Sequence, residues 1–224
     1  MLHPIAPGIW HAQRGMTAAG IPMTSRMTVI QLADGSLWLH SPIQLDDALR
    51  AELDALGPVR CIVAPNKTHH LFAKKCLAMY PQATLFGAPG LSGKRADLAP
   101  MTPLPATAPP QWAGQIDEVF IAGVPVVNET VFFHRASGSA IFTDVVQLWR
   151  GPLNWKAALY AHLTGVRNRF AVPRTVRFMV KDKAAFRASA QKVLAWPIKR
   201  VLVAHNSVID GDAHAGLKRA LEVV

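Results

Sequence analysis

Arg60-Cys61-Ile62-Val63-Ala64-Pro65-Asn66-Lys67-Thr68-His69-His70-Leu71-Phe72 is the stretch whose reading decides the fold. Cys61 to Ala64 is a short continuous apolar run, the pattern of a strand buried on both faces. Pro65-Asn66 breaks it. His69 and His70 then stand where a helix is expected to begin, continued by Ala73, Cys76, Leu77 and Tyr80 and stopped by Pro81. Ligand-capable side chains at the carboxyl end of a buried strand are where open α/β folds place their sites. Two readings of the pair stay open from this stretch alone: metal ligands, or solvated histidines at a helix start.

Working outward, Pro4 to His11 reads as a short opening strand. Arg26 to Leu32 and Ser36 to His40 read as a hairpin turned by Asp34-Gly35. Leu45, Leu49, Leu53 and Leu56 recur at helical spacing up to Gly57-Pro58. After the central strand and helix, Ala83 to Ala88 is a further strand, and residues 92–110, rich in Pro, Ala and Thr, read as a surface loop. Glu118 to Ala122 and Val124 to Val127 read as short strands. Thr130 to His134 and Ala140 to Asp144 read as a second hairpin. Helices are expected around Trp155 to Leu163, Ala184 to Ala195 and Asp212 to Leu221, with a last strand from Arg200 to Ala204. Strand pairs followed by alternating strands and helices imply an α/β fold, two sheets packed face to face with helices outside, in a single domain over residues 1–224.

Half of the 224 residues are apolar and 17% are charged, so a large core is possible, and no apolar run reaches membrane-spanning length. Met1-Leu2-His3-Pro4 does not open a basic-then-apolar leader, and Cys61 and Cys76 read as reduced core thiols; a cytoplasmic location is expected. Without a CxxC pair, thiolate zinc and iron–sulfur sites are excluded. The net charge of +10 is concentrated: residues 150–200 hold twelve Lys or Arg and one acid, Asp182. That excess points to an anionic partner or substrate, against the plain alternative of a solvated basic face. Trp149, Leu153, Trp155, Leu159, Tyr160, Leu163 and Phe170, interleaved with Arg150, Lys156, Arg167 and Arg169, also fit peripheral contact with anionic lipid, single-stranded nucleic acid, or a helix packed on the sandwich or in a dimer. No nucleic-acid motif is present.

Four predicted strands end in ligand-capable groups: His40, the His69–His70 pair, Asp144 and His205. If they share a sheet and direction, these groups converge. Imidazole and carboxylate suit zinc, iron or manganese, and a helix N-terminus would keep His69 and His70 neutral. With the second hairpin centred on Ser137, Asp144 lies opposite Thr130 and beside Glu129, whereas His134 is at the far end, about 10 Å away at ~3.3 Å per residue.

This arrangement resembles the metallo-β-lactamase superfamily and, more closely, an uncharacterised-domain family related to it. The residues that carry the resemblance are Arg26-Met27-Thr28-Val29, Leu37 to Ile43, Gly57-Pro58-Val59, Ala64 to Lys67 with His69-His70, Gly90-Leu91, Phe132 to Ser137, Phe142-Thr143-Asp144 and Val203-Ala204-His205. The resemblance implies an αβ/βα sandwich of two mixed sheets with a metal site at one edge. Laid on the superfamily's His-x-His-x-Asp-His motif, the first two histidines fall on Pro65 and Lys67 and the aspartate on His69. The first metal site is therefore expected to be lost and the second kept in altered form. One divalent metal, zinc ahead of iron or manganese, would be held by His69, His70, Asp144 and His205, with Glu129, His40 and Asn66 as outer partners.

The expected activity is metal-dependent hydrolysis of a small, anionic substrate, with Asp144 as ligand or water-orienting group and Lys67 holding negative charge. The alternative is a non-catalytic relative, with structural metal or none, that binds an anionic partner through the basic segment. Ser41 and Ser137 lack a Gly-x-Ser-x-Gly elbow and carry no serine-hydrolase reading.

Overall fold

Leu37 to His40 and Cys61 to Ala64 are buried at every residue, so both faces of these strands need a covering layer. The computed structural model, which describes residues 1–224, supplies one layer on each side. The first half of the chain forms β1 (His3–Ala6), β2 (Ile9–Ala18), β3 (Ile21–Gln31), β4 (Leu37–His40), α1 (Asp47–Leu56), β5 (Val59–Ala64), α2 (Ala73–Met79), β6 (Thr84–Gly87), α3 (Leu91–Lys94) and β7 (Thr102–Pro103). The second half forms β8 (Ile116–Phe120), β9 (Thr130–His134), β10 (Ser139–Phe142), α4 (Trp155–Thr164), α5 (Arg174–Met179), α6 (Lys183–Leu194), β11 (Arg200–Val203), β12 (Val208–Asp210) and α7 (Ala213–Leu221).

β1 to β7 lie in chain order in a seven-stranded sheet, antiparallel up to β4 and parallel from β4 to β7. The second sheet runs β12-β11-β10-β9-β8, with only β10 and β11 parallel. Strand alternation sorts side chains between layers. Trp38, Cys61 and Val63 face the second sheet's Phe132, Ile141 and Leu202. Leu37, Leu39, Ile62 and Ala64 point the other way, onto Leu49 and Leu53 of α1 and Ala73 and Cys76 of α2. The outer face of the second sheet packs Val131, Phe133 and Val201 on Phe186 of α6 and Leu217 of α7. Both cysteines are free and buried, and burial pushes each thiol up to about 12.

Local signals account for the boundaries. The Asp46 side chain accepts a hydrogen bond from the Leu49 amide at 2.9 Å and starts α1. Gly57, at φ 154°, ends it where a Cβ would meet the Gly35 carbonyl oxygen at 2.2 Å. Several expectations are corrected. The expected opening strand is split by a turn at Pro7-Gly8: His3–Ala6 folds back on Ile9–His11, and Ile9–Ala18 goes on to pair residue for residue with Ile21–Ile30. Gly15 and Pro22 hide that strand pair in the sequence. Val124 to Val127 is a turn, its register broken by a hydrogen bond from the Val127 amide to the Val124 carbonyl. The second hairpin turns on Arg135 to Gly138, so Ser139 pairs with His134, one residue off a hairpin centred on Ser137.

Glu118 on β8 gives a pH-dependent stability. Its Oε2 accepts from Trp112 Nε1 at 3.0 Å, while Oε1 is buried without a partner. Burial pushes this carboxyl up to about 7, against which the Trp112 bond acts weakly. The folded chain therefore holds a proton that the unfolded chain releases near 4.5. This contribution is full below that value and is lost as pH rises towards 7. Glu118→Gln, which keeps the Trp112 acceptor, is expected to be more stable than the parent at pH 8 and to flatten the fall in melting temperature between pH 5 and 7. Parallel slopes for the two proteins would refute it.

Candidate metal centre

Three ligand-capable side chains meet where the carboxyl ends of β5, β10 and β11 converge. Candidate ligand atoms of His69, Asp144 and His205 all lie within 4.8 Å of one another. His69 Nε2 stands 3.5 Å from Asp144 Oδ2, and His205 Nε2 stands 3.4 Å from Asp144 Oδ1. The strands do not share one sheet, as the sequence expectation required. β5 belongs to the first sheet and β10 and β11 to the second, so the site spans the edge of the sandwich.

Each side chain is fixed from behind. His205 Nδ1 donates to the Thr24 carbonyl at 2.8 Å, and His69 Nδ1 pairs with Ser41 Oγ at 2.8 Å. Both imidazoles thus turn Nε2 toward Asp144. Asn66, fully buried, donates to Asp144 Oδ2 at 2.7 Å and to Thr143 Oγ1 at 2.8 Å. Its Oδ1 accepts from the Thr68 amide and hydroxyl, both at 2.8 Å, and from the His69 amide at 2.7 Å. One side chain thereby sets both the His69 backbone and the Asp144 carboxylate. Glu129, also fully buried, takes the amides of Thr143, Asp144 and Val145 at 2.6, 2.8 and 2.9 Å. Burial and the Asp144 charge push its carboxyl up to about 7 while these amides pull it down. Burial opposes ionisation of Asp144, but the two imidazoles outweigh it and hold the carboxyl well below the usual carboxylate range. Burial lowers His205, and the Asp144 carboxylate more than restores it, leaving it raised.

The donor set fits a divalent ion. Two ligand atoms each at 2.0–2.1 Å from a tetrahedral centre stand about 3.3–3.4 Å apart, close to the two separations here. Two imidazoles and a carboxylate leave coordination positions open, the arrangement of catalytic rather than structural sites.

Other expected site residues go elsewhere. His70 is buried, but its Nδ1 lies 2.7 Å from Arg95 Nη1. Arginine can only donate, so Nδ1 accepts and Nε2 of the neutral ring carries the hydrogen, the wrong tautomer for a ligand. Burial, Arg95 and Lys94 all lower its pKa. His40 makes no hydrogen bond to the cluster; it lies between Trp38 and Phe132, its Nε2 buried without a partner, and burial lowers it to about 3. Lys67 turns to the Pro125 carbonyl at 3.0 Å and does not line the cleft. Lys94 lines it instead, anchored on the Lys67 carbonyl at 2.7 Å. The histidines also precede α2, which starts at Ala73, so no helix dipole acts on them from its first turn.

The cluster sits in a cleft of about 420 Å³. Met16, Met23, Leu71, Phe72, Trp149 and Tyr160 give it apolar walls. Arg26, which the sequence marks only as a strand start and a residue of the family resemblance, also belongs to the site's surroundings. It is buried without a carboxylate partner and donates to the Val203 carbonyl at 3.0 Å and the Asn206 carbonyl at 3.3 Å, on either side of His205. Burial lowers it to about 10. An arginine opening an apolar strand was the available signal. Ser41 and Asn206 both have positive φ, 53° and 68°, beside the site; such backbone is held in place by its surroundings and gathers at functional sites.

Residues 8–150 match the family described as "Domain of unknown function (DUF4336)". The chain belongs to that family. No curated protein matches it. Among solved structures it is similar to a metallo-β-lactamase from Pontibacter korlensis, at 12% identity and TM-score 0.66 over 99% of this chain and 98% of that one. It is also similar to the DIM-1 metallo-β-lactamase in a crystal exposed to ceftazidime, at 11% identity and TM-score 0.68 over 100% and 96% of the two chains. The metal-soaked Flv1 flavodiiron core from Synechocystis sp. PCC6803 gives 13% identity and TM-score 0.68, over 100% of this chain and 60% of that one. At such identities the likeness establishes the fold: this DUF4336 chain has the metallo-β-lactamase sandwich. Within it, His69, Asp144 and His205 are the clustered ligand-capable side chains.

Proposed function

We propose that this protein is a hydrolase using one divalent metal ion held by His69, Asp144 and His205. The observation that carries the reading is the spacing of the three ligand atoms on the wall of an open cleft, with both imidazoles oriented from behind. Bound there, a zinc, iron or manganese ion supplies Lewis acidity, polarising an acyl or phosphoryl oxygen and making water acidic enough to attack near neutral pH. The protein's residues do the rest. Thr24 and Ser41 keep Nε2 of each histidine facing the ion site. Asn66 and the loop amides gripped by Glu129 keep Asp144 aimed, and the two imidazoles keep it ionised. The apolar wall accepts an apolar substrate body, and Lys94 takes a carboxylate or phosphate at the cleft's edge.

The test begins with protein purified without added metal. Elemental analysis should find about one zinc, iron or manganese per chain, as one three-ligand site requires, and His69→Ala with His205→Ala should remove it. The loaded protein is then assayed on esters, thioesters, lactones and phosphodiesters. No bound metal, and a melting temperature indifferent to chelator, would overturn the site. Metal without turnover of any of these classes would leave the non-catalytic alternative. Lys94→Met is expected to raise KM for a carboxylate-bearing substrate about tenfold while kcat changes little, the loss of roughly 1.4 kcal/mol of uniform binding. Equal KM values for charged and uncharged analogues would remove Lys94 from recognition.

A further inference from the structure

α4 is built inside out. Its core-facing side holds Ala157, Ala161 and Tyr160, which pack with Trp149, Val166 and Ala171. Its large apolar residues, spaced i, i+4 and i+8, face solvent: Trp155 is 67% exposed, Leu159 49% and Leu163 62%. α5 (Arg174–Met179) follows it in the chain. Arg174 donates to the Leu163 carbonyl at 3.0 Å and joins the helices, and Phe178 beyond it is 93% exposed. A helix that only covered the sandwich would carry these residues the other way round.

The charge around the stripe says what covers it. Of the twelve Lys and Arg in residues 150–200, Arg200 pairs with Asp210 and Arg187 reaches the Val224 backbone oxygen; the other ten, among them Arg150, Lys156, Arg174 and Arg177, make no ion pair. A two-fold interface with a second copy would set these cations against themselves. Nucleic acid would use the cations and stack on aromatic rings, but gains nothing from exposed leucines. Leucine, tryptophan and phenylalanine ringed by unpaired cations complement a surface that is anionic above and apolar beneath.

We infer that the α4–α5 face is a peripheral docking surface for anionic lipid bilayers. Tyr160, one residue from Leu159, lines the cleft, so the docked face borders the mouth of the candidate site. The inference does not depend on the site's chemistry.

The test is co-sedimentation of the full chain with vesicles of phosphatidylcholine containing about 30% phosphatidylglycerol, at about 0.15 M salt. The parent should sediment with these vesicles and stay in solution with pure phosphatidylcholine. Trp155→Ser, Leu159→Ser and Leu163→Ser together leave the net charge unchanged and should weaken binding about tenfold or more. The side chains are exposed, so the variant should keep the parent's melting temperature, which is measured alongside. No sedimentation of the parent overturns the inference. So does equal binding by the variant, which would make the attraction a matter of charge alone. A parent dimer by light scattering that the variant dissolves would assign the face to a second copy and overturn it too.

Discussion

Glu129→Ala should lower the stability of the protein by about 3–5 kcal/mol, because it strips the acceptor from three buried amides at once and each orphaned donor costs about 1–3 kcal/mol. The amides of Thr143, Asp144 and Val145 have no other partner in reach of the strand ladder, since β10 ends at Phe142. Water entering the emptied space recovers part of the loss, which sets the estimate below the simple sum. Glu129→Gln should be milder, about 1–3 kcal/mol, because the amide oxygen serves two of the donors and the NH2 opposes the third. The measurement is the urea midpoint at unchanged slope. A Glu129→Ala midpoint within error of the parent would mean that these amides are already solvated. Both variants should also hold metal less well, since the same three bonds shape the loop that presents Asp144.

Asp144→Asn is expected to weaken metal binding by about 10³ or more, beyond the 10–100-fold that loss of an outer partner brings, because it removes the one anionic donor of the set. The isosteric amide can still face Asn66 through its oxygen, and it no longer buries a carboxylate. The metal-free variant also gives up the carboxylate's pairing with the two imidazoles, so its melting temperature is read beside that of the metal-free parent, which separates a lost ligand from a lost fold. Exhaustive dialysis followed by elemental analysis reads the result. A variant that keeps one equivalent of ion per chain would place the ion elsewhere.

Much of this was legible in the chain. The buried strand at Cys61 to Ala64, the polar ends of four strands and the pairing of Glu129 with the Asp144 segment all follow from alternation and turn chemistry. The sequence names His69, Asp144 and His205 together, and the structure brings their ligand-capable atoms within 4.8 Å, with Asn66 bonded to the Asp144 carboxylate and Glu129 to its amide. The places of His70 and Lys67 are set by contacts distant in the chain. One is captured by Arg95 and the other by the Pro125 carbonyl, from segments 25 and 58 residues away. Lys94 sits in the Leu91–Lys94 turn, within a stretch read as a plain loop, and nothing local says that it points at a cleft. The β2–β3 hairpin escaped because Gly15 and Pro22 spoil strand propensity that tertiary pairing overrides.

Arg26 has a consequence of its own. It belongs to the first sheet, yet it grips the carbonyls that flank His205 in the second, and Thr24 holds the imidazole itself. His69 comes from the first sheet and Asp144 and His205 from the second, so the ligand set exists only while the two halves of the sandwich stay shut. An ion that took all three would act as a clasp between the sheets: at a hundred times its dissociation constant it would add about 2.7 kcal/mol against opening. Prising the sheets apart and emptying the site are one event, and chelation would loosen the whole edge rather than a loop.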